Sequence, residues 1–317
     1  MALQKLTDKI KSRIPSSMYD KIVTVWKAGL LTGLKTSGLN IASNTAHSIL
    51  EVAKDIPATI VDKVASLFTG NRTLALTGKG SGKGLKDGIE KGWRYFKTGF
   101  DERDVATKLD YNKVNMGNSK FAKAIQSYEE TVFKVLGTED QPFYYTAKAR
   151  SLASQAIAKA KNAGLKGTEA KAFVENLLSN PTDEMLKYAT LDAETSVFQN
   201  KTTLGKLAKG MQGIPGGQII LPFAKTPSAV ATQIINYSPI GIVSTIAKNI
   251  GKGKFDQRLF SQGMGRGLTG TAVLWLGTQL AKNGMISTAY PTSEKERKQW
   301  ELEGKTSNSI KLSMEWA

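Results

Sequence analysis

"FAKAIQSYEETVFKVLG", residues 121–137, decides the fold class. Its apolar side chains Phe121, Ile125, Tyr128, Val132, Val135 and Leu136 recur every three or four residues, the period of a helix with one apolar face. Gly137 is expected to end that helix. The same period continues outward. Residues 141–163 form an alanine-rich helix stopped by Gly164, and "NPTDE" at 180–184 starts another with Pro181 in its first turn. Toward the N-terminus, Leu39, Ala42, Ala46, Ile49, Leu50 and Ala53 share one helical stripe. Pro57 suits the first turn of a helix bearing Ile60, Val61, Val64, Leu67 and Phe68, and Ser17 with Asp20 offers a capping box. Period-two alternation is nearly absent; only the tail "SIKLSMEW" alternates weakly, as a short strand does. The fold expected is all-α, an elongated multi-helix bundle with a Gly/Lys-rich linker and an apolar, proline-hinged C-terminal helical region.

Composition shifts divide the chain into four. Residues 1–68 carry N-terminal amphipathic helices, and 69–88, "TGNRTLALTGKGSGKGLKDG", with six glycines, reads as a flexible basic linker. Residues 89–204 form a central helical bundle, and 205–317 a basic, apolar helical region with a short strand at its end.

The 317 residues include no cysteine and one histidine, His47. A disulfide framework, a thiolate metal site and a cysteine nucleophile are excluded, and a zinc site or Ser-His triad has too few ligands. No metal, cofactor or catalytic residue is expected, and His47 reads as a partly buried structural histidine. The net charge is +17. Between Lys201 and Lys282 ten basic residues face a single acid, Asp256, a bias that favours polyanions such as nucleic acid or anionic lipid. The start, "MALQKLTDKIKSRIP", lacks the apolar run of a secretory signal.

Three stretches invite chemistry. "GKGSGKG" at 78–84 is not a phosphate loop: Lys83 stands where the second glycine belongs, and Gly84 replaces the metal-binding hydroxyl residue. Its cations, Lys79, Lys83 and Lys86, with Lys91 and Arg94 beyond them, are the expected DNA or polyanion contacts. Trp93, Tyr95 and Phe96 in the same run supply rings that stack on bases or sit at a membrane interface, but Trp93, Phe96 and Phe100 also have the spacing of core residues. In the third stretch, "LPFAKTPSAVATQIINYSPIGI" at 221–242, Thr226 to Ala247 is free of charge for 22 positions, yet Gln233, Asn236 and Pro239 make it a poor constitutive membrane span. Pro222, Phe223, Pro227, Ile234, Ile235 and Pro239 there, with Leu274 and Trp275 of the uncharged run 267–281, are the expected membrane or hinge residues.

Two resemblances follow. "ETSVF" at 194–198 with Gln212 faintly resembles the Glu-Ser…Gly-Leu-Met-Gln pattern of lytic transglycosylases, whose buried glutamic acid protonates the glycosidic oxygen. Thr195 replaces the serine, Gly210 lies one place late and no leucine precedes Met211, so Glu194 reads as an ordinary surface glutamate. Four other blocks, in order, cover most of the chain and resemble large phage polyvalent and internal virion proteins. They are "KAGLLTGLKTSGLNIASN" at 27–44, "VFKVLGTEDQPFYYTAKARSLASQA" at 132–156, "LPFAKTPSAVATQIINYSPIG" at 221–241 and "YPTSEKERKQWELEGKTSNSIKL" at 290–312. That resemblance implies a non-enzymatic protein held inside the virion and ejected with the genome, helping to form or line a DNA-translocation channel across the host envelope. The partners it implies are phage DNA, portal, tail or internal core proteins, the host membrane conditionally, and further copies of the chain. A helical scaffold on the portal or tail without membrane activity is the alternative, and a degenerate peptidoglycan-cleaving enzyme a more distant one.

Overall fold

A computed structural model describes residues 16–103, 114–250, 255–287 and 289–311. The first fifteen residues, on which the reading of no secretory signal falls, and the tail beyond Lys311 lie outside the described residues. The protein is all-α. The helices are α1 (Met18–Leu31), α2 (Leu34–Ala53), α3 (Asp55–Thr69), α4 (Ser81–Thr98), α5 (Lys120–Glu139), α6 (Gln141–Asn162), α7 (Gly167–Ser179) and α8 (Asp183–Ser196). They continue as α9 (Thr203–Gln212), α10 (Gly217–Ile220), α11 (Lys225–Asn236), α12 (Pro239–Ile250), α13 (Gln257–Lys282) and α14 (Glu294–Leu302). The strand expected in the tail is, among the described residues, a single antiparallel bridge between Ile286 and Ile310.

Local sequence explains most helix starts. Ser17, Ser119, Thr182, Thr202 and Asp256 each accept a backbone N–H of the first turn through a side-chain oxygen. Pro227 lies in the first turn of α11 and Pro239 opens α12, positions where the missing N–H costs nothing. Gly137 does not end α5, which runs two residues further. A Cβ there would lie 2.7 Å from the Tyr95 ring, so this glycine serves close approach and not termination.

The central helices have an apolar interior: Ala156 and Ala160 of α6, Val174 of α7 and Met185 of α8 form one cluster. Tyr144, Tyr145 and Ala147 of α6 meet Ala193 and Val197 in a second. Ala28 of α1 meets Phe133 and Leu136 of α5 in a third.

The flexible linker expected at 69–88 is a correction. Residues 71–78 are extended and pinned to α6. There Arg72 N–H donates to Asn162 Oδ1 (2.8 Å), and Ser154 Oγ accepts from Ala75 N–H (3.0 Å) while donating to its carbonyl (2.8 Å). From Ser81 the chain is helical. Gly80, Gly84, Gly88 and Gly92, at intervals of four, lie against the start of α6, where a Cβ on Gly88 would stand 2.6 Å from the Pro142 Cα. Glycines read as freedom are instead the face on which two backbones meet. The buried side of α4 is this glycine face; Trp93 is exposed, stacked on Phe96 at 5.8 Å.

Candidate functional site

The most unusual feature of the molecule is a charged interior. Helices α2 and α3 run almost continuously, because Lys54 between them keeps helical angles (φ −62°, ψ −24°). Asn40, Asn44, His47, Glu51, Lys54, Ala58 and Asp62 follow at steps of three or four, so they share one face. That face points inward: all are buried except Asn40, which is half-buried. The opposite face carries Ile49, Val52, Ile56, Ile60, Val64, Leu67 and Phe68, all exposed. The stripe of Leu39, Ala42, Ala46 and Ile49 expected to pack is likewise exposed.

Helix α13 supplies the complementary charges. Arg266 grips Glu51 with two bonds, Nε to Oε1 at 2.6 Å and Nη2 to Oε2 at 3.0 Å, and the Tyr237 hydroxyl donates to the same carboxylate at 2.9 Å. Lys54 Nζ lies 3.5 Å from Glu51 and 2.7 Å from Asp55. One turn back along α13, Asp192 of α8 accepts from Arg258 (2.8 Å), Gln262 (3.1 Å) and Ser151 (2.6 Å). At the start of α13, Gln257 donates to Asp62 at 2.9 Å, and Arg72 donates to the other oxygen of that carboxylate at 2.9 Å. Burial opposes ionisation of Glu51, but Arg266 and Lys54 hold its carboxyl well below the usual carboxylate range. Burial likewise opposes ionisation of Asp192, and Arg258 beside it holds that carboxyl below its ordinary value. Burial lowers His47, whose ring stacks on Phe198 at 4.4 Å; Phe198 itself adopts a left-handed backbone, φ 56°.

A second polar node joins the blocks at 27–44 and 132–156. Asn44 donates to Asp140 at 2.8 Å, Asn40 to Glu139 at 2.9 Å, and Gln199 to Asp140 at 2.9 Å. Tyr237, from the third block, reaches Glu51 seven residues past the first. The sequence signal for this spine was present as polar residues at heptad-like spacing from 40 to 62. That signal lies in polar residues, whereas the apolar period of the same helix marks its exposed face.

The C-terminal helices close the layer through glycines. On α13, Gly265 faces Ala58 of α3, while Gly263 and Gly267 face Thr245 and Ile242 of α12. The outer surfaces hold Ile234 and Ile235 of α11, Ile240 and Val243 of α12, and Val273, Leu274, Trp275 and Leu276 of α13, all exposed. Pro227 and Pro239 are exposed and Pro222 and Phe223 half-buried. No helix among the described residues is long and apolar enough to cross a membrane.

The five cations expected to contact DNA do not stand alike. Lys79, Lys83 and Lys86 are exposed, with Lys86 only 3.9 Å from Glu90. Lys91 and Arg94 converge on Glu102, and Lys91 also lies over the Tyr145 ring at 4.2 Å. Glu194 is in the last turn of α8, half-buried, and burial pushes its carboxyl up against the pull of Lys225 and Lys201.

Models of known families, curated proteins and solved structures yielded no match to this chain. Function therefore rests on the geometry. A cavity of about 550 Å³ opens at the start of α13, but the charged groups lining it are engaged: Arg72 with Asp62, Lys159 with Glu184, Arg258 with Asp192, and Asp256 with the Tyr188 hydroxyl and the Leu259 N–H. Among the described residues no cluster of His, Asp and Glu has the makings of a metal site. What the arrangement offers is an apolar exterior held rigid by internal ion pairs.

Proposed function

We propose that the chain is an internal virion protein of a bacteriophage, carried in the capsid, ejected with the genome, and engaged with the host envelope during DNA translocation. The observation that carries this reading is the exposed apolar surface of α11, α12 and α13 within a stretch holding ten basic residues and one acid. Lys248 of α12 and Lys282 of α13 are exposed on these helices, and apolar side chains with cations alongside suit a bilayer with anionic headgroups. Lys79, Lys83 and Lys86 suit a capsid interior filled with DNA. The joint at Tyr237 and Ser238, between α11 and the proline that opens α12, serves as the hinge of that region. Contact between the first two resembling blocks, through Asn40, Asn44, Glu139 and Asp140, supports taking them as one unit.

The test is flotation of the purified chain with liposomes, with and without anionic lipid, followed by a high-salt wash. Association that survives the wash, and falls at least tenfold in Leu274→Lys, is expected. Absence of association, or its complete loss in salt, overturns the membrane part and leaves a basic helical scaffold bound to portal or tail. Clearing of purified peptidoglycan that Glu194→Gln abolishes would replace the proposal with the enzymatic alternative.

A further inference from the structure

The two exposed apolar regions differ in what surrounds them. Around α11–α13 the charge is one-sided. Along the outer face of α2 and α3 it is nearly absent: Glu51, Lys54 and Asp62 point inward, Asp55 is paired with Lys54 and Arg150, and Lys63 is exposed. The face is a continuous stripe of Ile49, Val52, Ile56, Ile60, Val64, Leu67 and Phe68, each about half exposed or more, and Phe68 87 % exposed. At 1.5 Å per residue it is about 28 Å long. Seven such side chains expose on the order of 400 Å² of apolar surface. Large apolar patches on monomers run to roughly 300–600 Å² and are commonly functional. One side of a standard protein interface buries roughly 800 Å², a little over half of it apolar. The stripe thus matches the apolar share of one side of a dimer.

From this we infer that the stripe on α2 and α3 is the surface through which two copies of this chain pair, by antiparallel apposition of that stripe about a two-fold axis. The stripe is self-complementary for that symmetry, since its spacing of four residues from Val52 to Val64 reads alike from either end. An axis near residue 58 sets Ile56 of one copy beside Ile60 of the other, Val52 beside Val64, and Ile49 beside Leu67. Lys63 of each copy then stands about 15 Å along the helix from its mate, so no charge is turned toward itself across such a pair. Two copies apposed through α11–α13 would instead bring together surfaces of like, basic charge. The inference concerns a different surface from the proposed membrane face and stands whether or not that proposal holds.

The chain has no cysteine, so one introduced thiol can only bridge between copies. Under mild oxidation, full-length Ile60→Cys is expected to give a covalent dimer at least tenfold more abundantly than Val243→Cys, whose site on α12 is equally exposed. Sedimentation equilibrium of the unaltered chain is expected to give a dimer, and Ile60→Lys a monomer at the same concentration. A parent chain that stays monomeric to about 100 μM overturns the inference. So does equal cross-linking at both sites, or an unchanged mass for Ile60→Lys. If Ile60→Lys leaves the mass alone but abolishes liposome flotation, lipid covers this face and the inference fails. Ile60 is exposed, so its substitution should not disturb folding; if Ile60→Lys melts early, the cross-linking comparison decides alone.

Discussion

Helices α6, α7 and α8 and the layer of α2, α3, α12 and α13 are both amphipathic, and they point in opposite senses. In the first, Ala156, Ala160, Val174 and Met185 face inward, as in most globular proteins. In the second, Asn44, His47, Glu51, Lys54 and Asp62 face inward and the isoleucines face out. Amphipathicity therefore defines an axis across a helix without saying which end is buried. The side that is buried depends on what the neighbour offers. Helix α13 offers Gln257, Arg258, Gln262 and Arg266, so the carboxylates of α2, α3 and α8 turn toward it.

The largest expected effect tests whether that charged interior is truly dry. Arg266→Ala leaves Glu51 buried beside only Lys54, His47 and Tyr237, and is expected to cost about 3–5 kcal/mol, the range for breaking a buried pair. Urea unfolding at neutral pH reads this directly. Pairing Glu51→Gln with Arg266→Met should recover more than half of the loss, because no charge is then stranded. A cost below about 1 kcal/mol for Arg266→Ala, the value of a surface pair, would erase the contrast between the two regions.

The apolar interior should respond by degrees. Met185, fully buried among Ala156, Ala160 and Val174, is expected to lose about 3 kcal/mol on truncation to Ala, from lost transfer free energy and the cavity left behind. Refilling the space with Leu should restore most of it, which no single substitution can do for Arg266. Equal sensitivity of Met185→Leu and Met185→Ala, compared by thermal unfolding, would mean that refilled volume alone does not satisfy this cluster.

The helical class was legible because apolar residues such as Ile125, Val132 and Leu136 repeat with the helical period. Helix starts at Ser17 and Pro57 were legible from single residues with strong positional chemistry. Glycine was the misleading residue. Gly80, Gly84, Gly88 and Gly92 were counted as entropy when their interval of four carried the information, and Gly137 was read as a stop when it makes room for Tyr95. The sense of the α2–α3 stripe was not legible locally, since it depends on Gln257 and Arg266, some 200 residues away in the chain. The cations at 79–94 were legible as residues but not as a surface, because Glu102, the partner of Lys91 and Arg94, lies beyond the run.

The smallest expected effect concerns a carboxyl with no cation to answer it. Glu129 of α5 is fully buried and neither oxygen has a hydrogen-bond partner, unlike Glu51 with its bidentate arginine. Burial, aided by Glu130, pushes its carboxyl up to about 7. An acid whose folded pKa exceeds its unfolded value binds more protons when folded, so it contributes stability at low pH that is lost as pH rises. For Glu129 the loss begins above the unfolded value near 4.5 and runs on through about 7. Melting temperature should therefore decline between pH 5 and 8 by more in the parent than in Glu129→Gln, which keeps the shape without the charge. The mutant itself should be the more stable at pH 8, by a few degrees at most for a chain of this size. A decline of the same slope in both would assign the pH dependence to other groups.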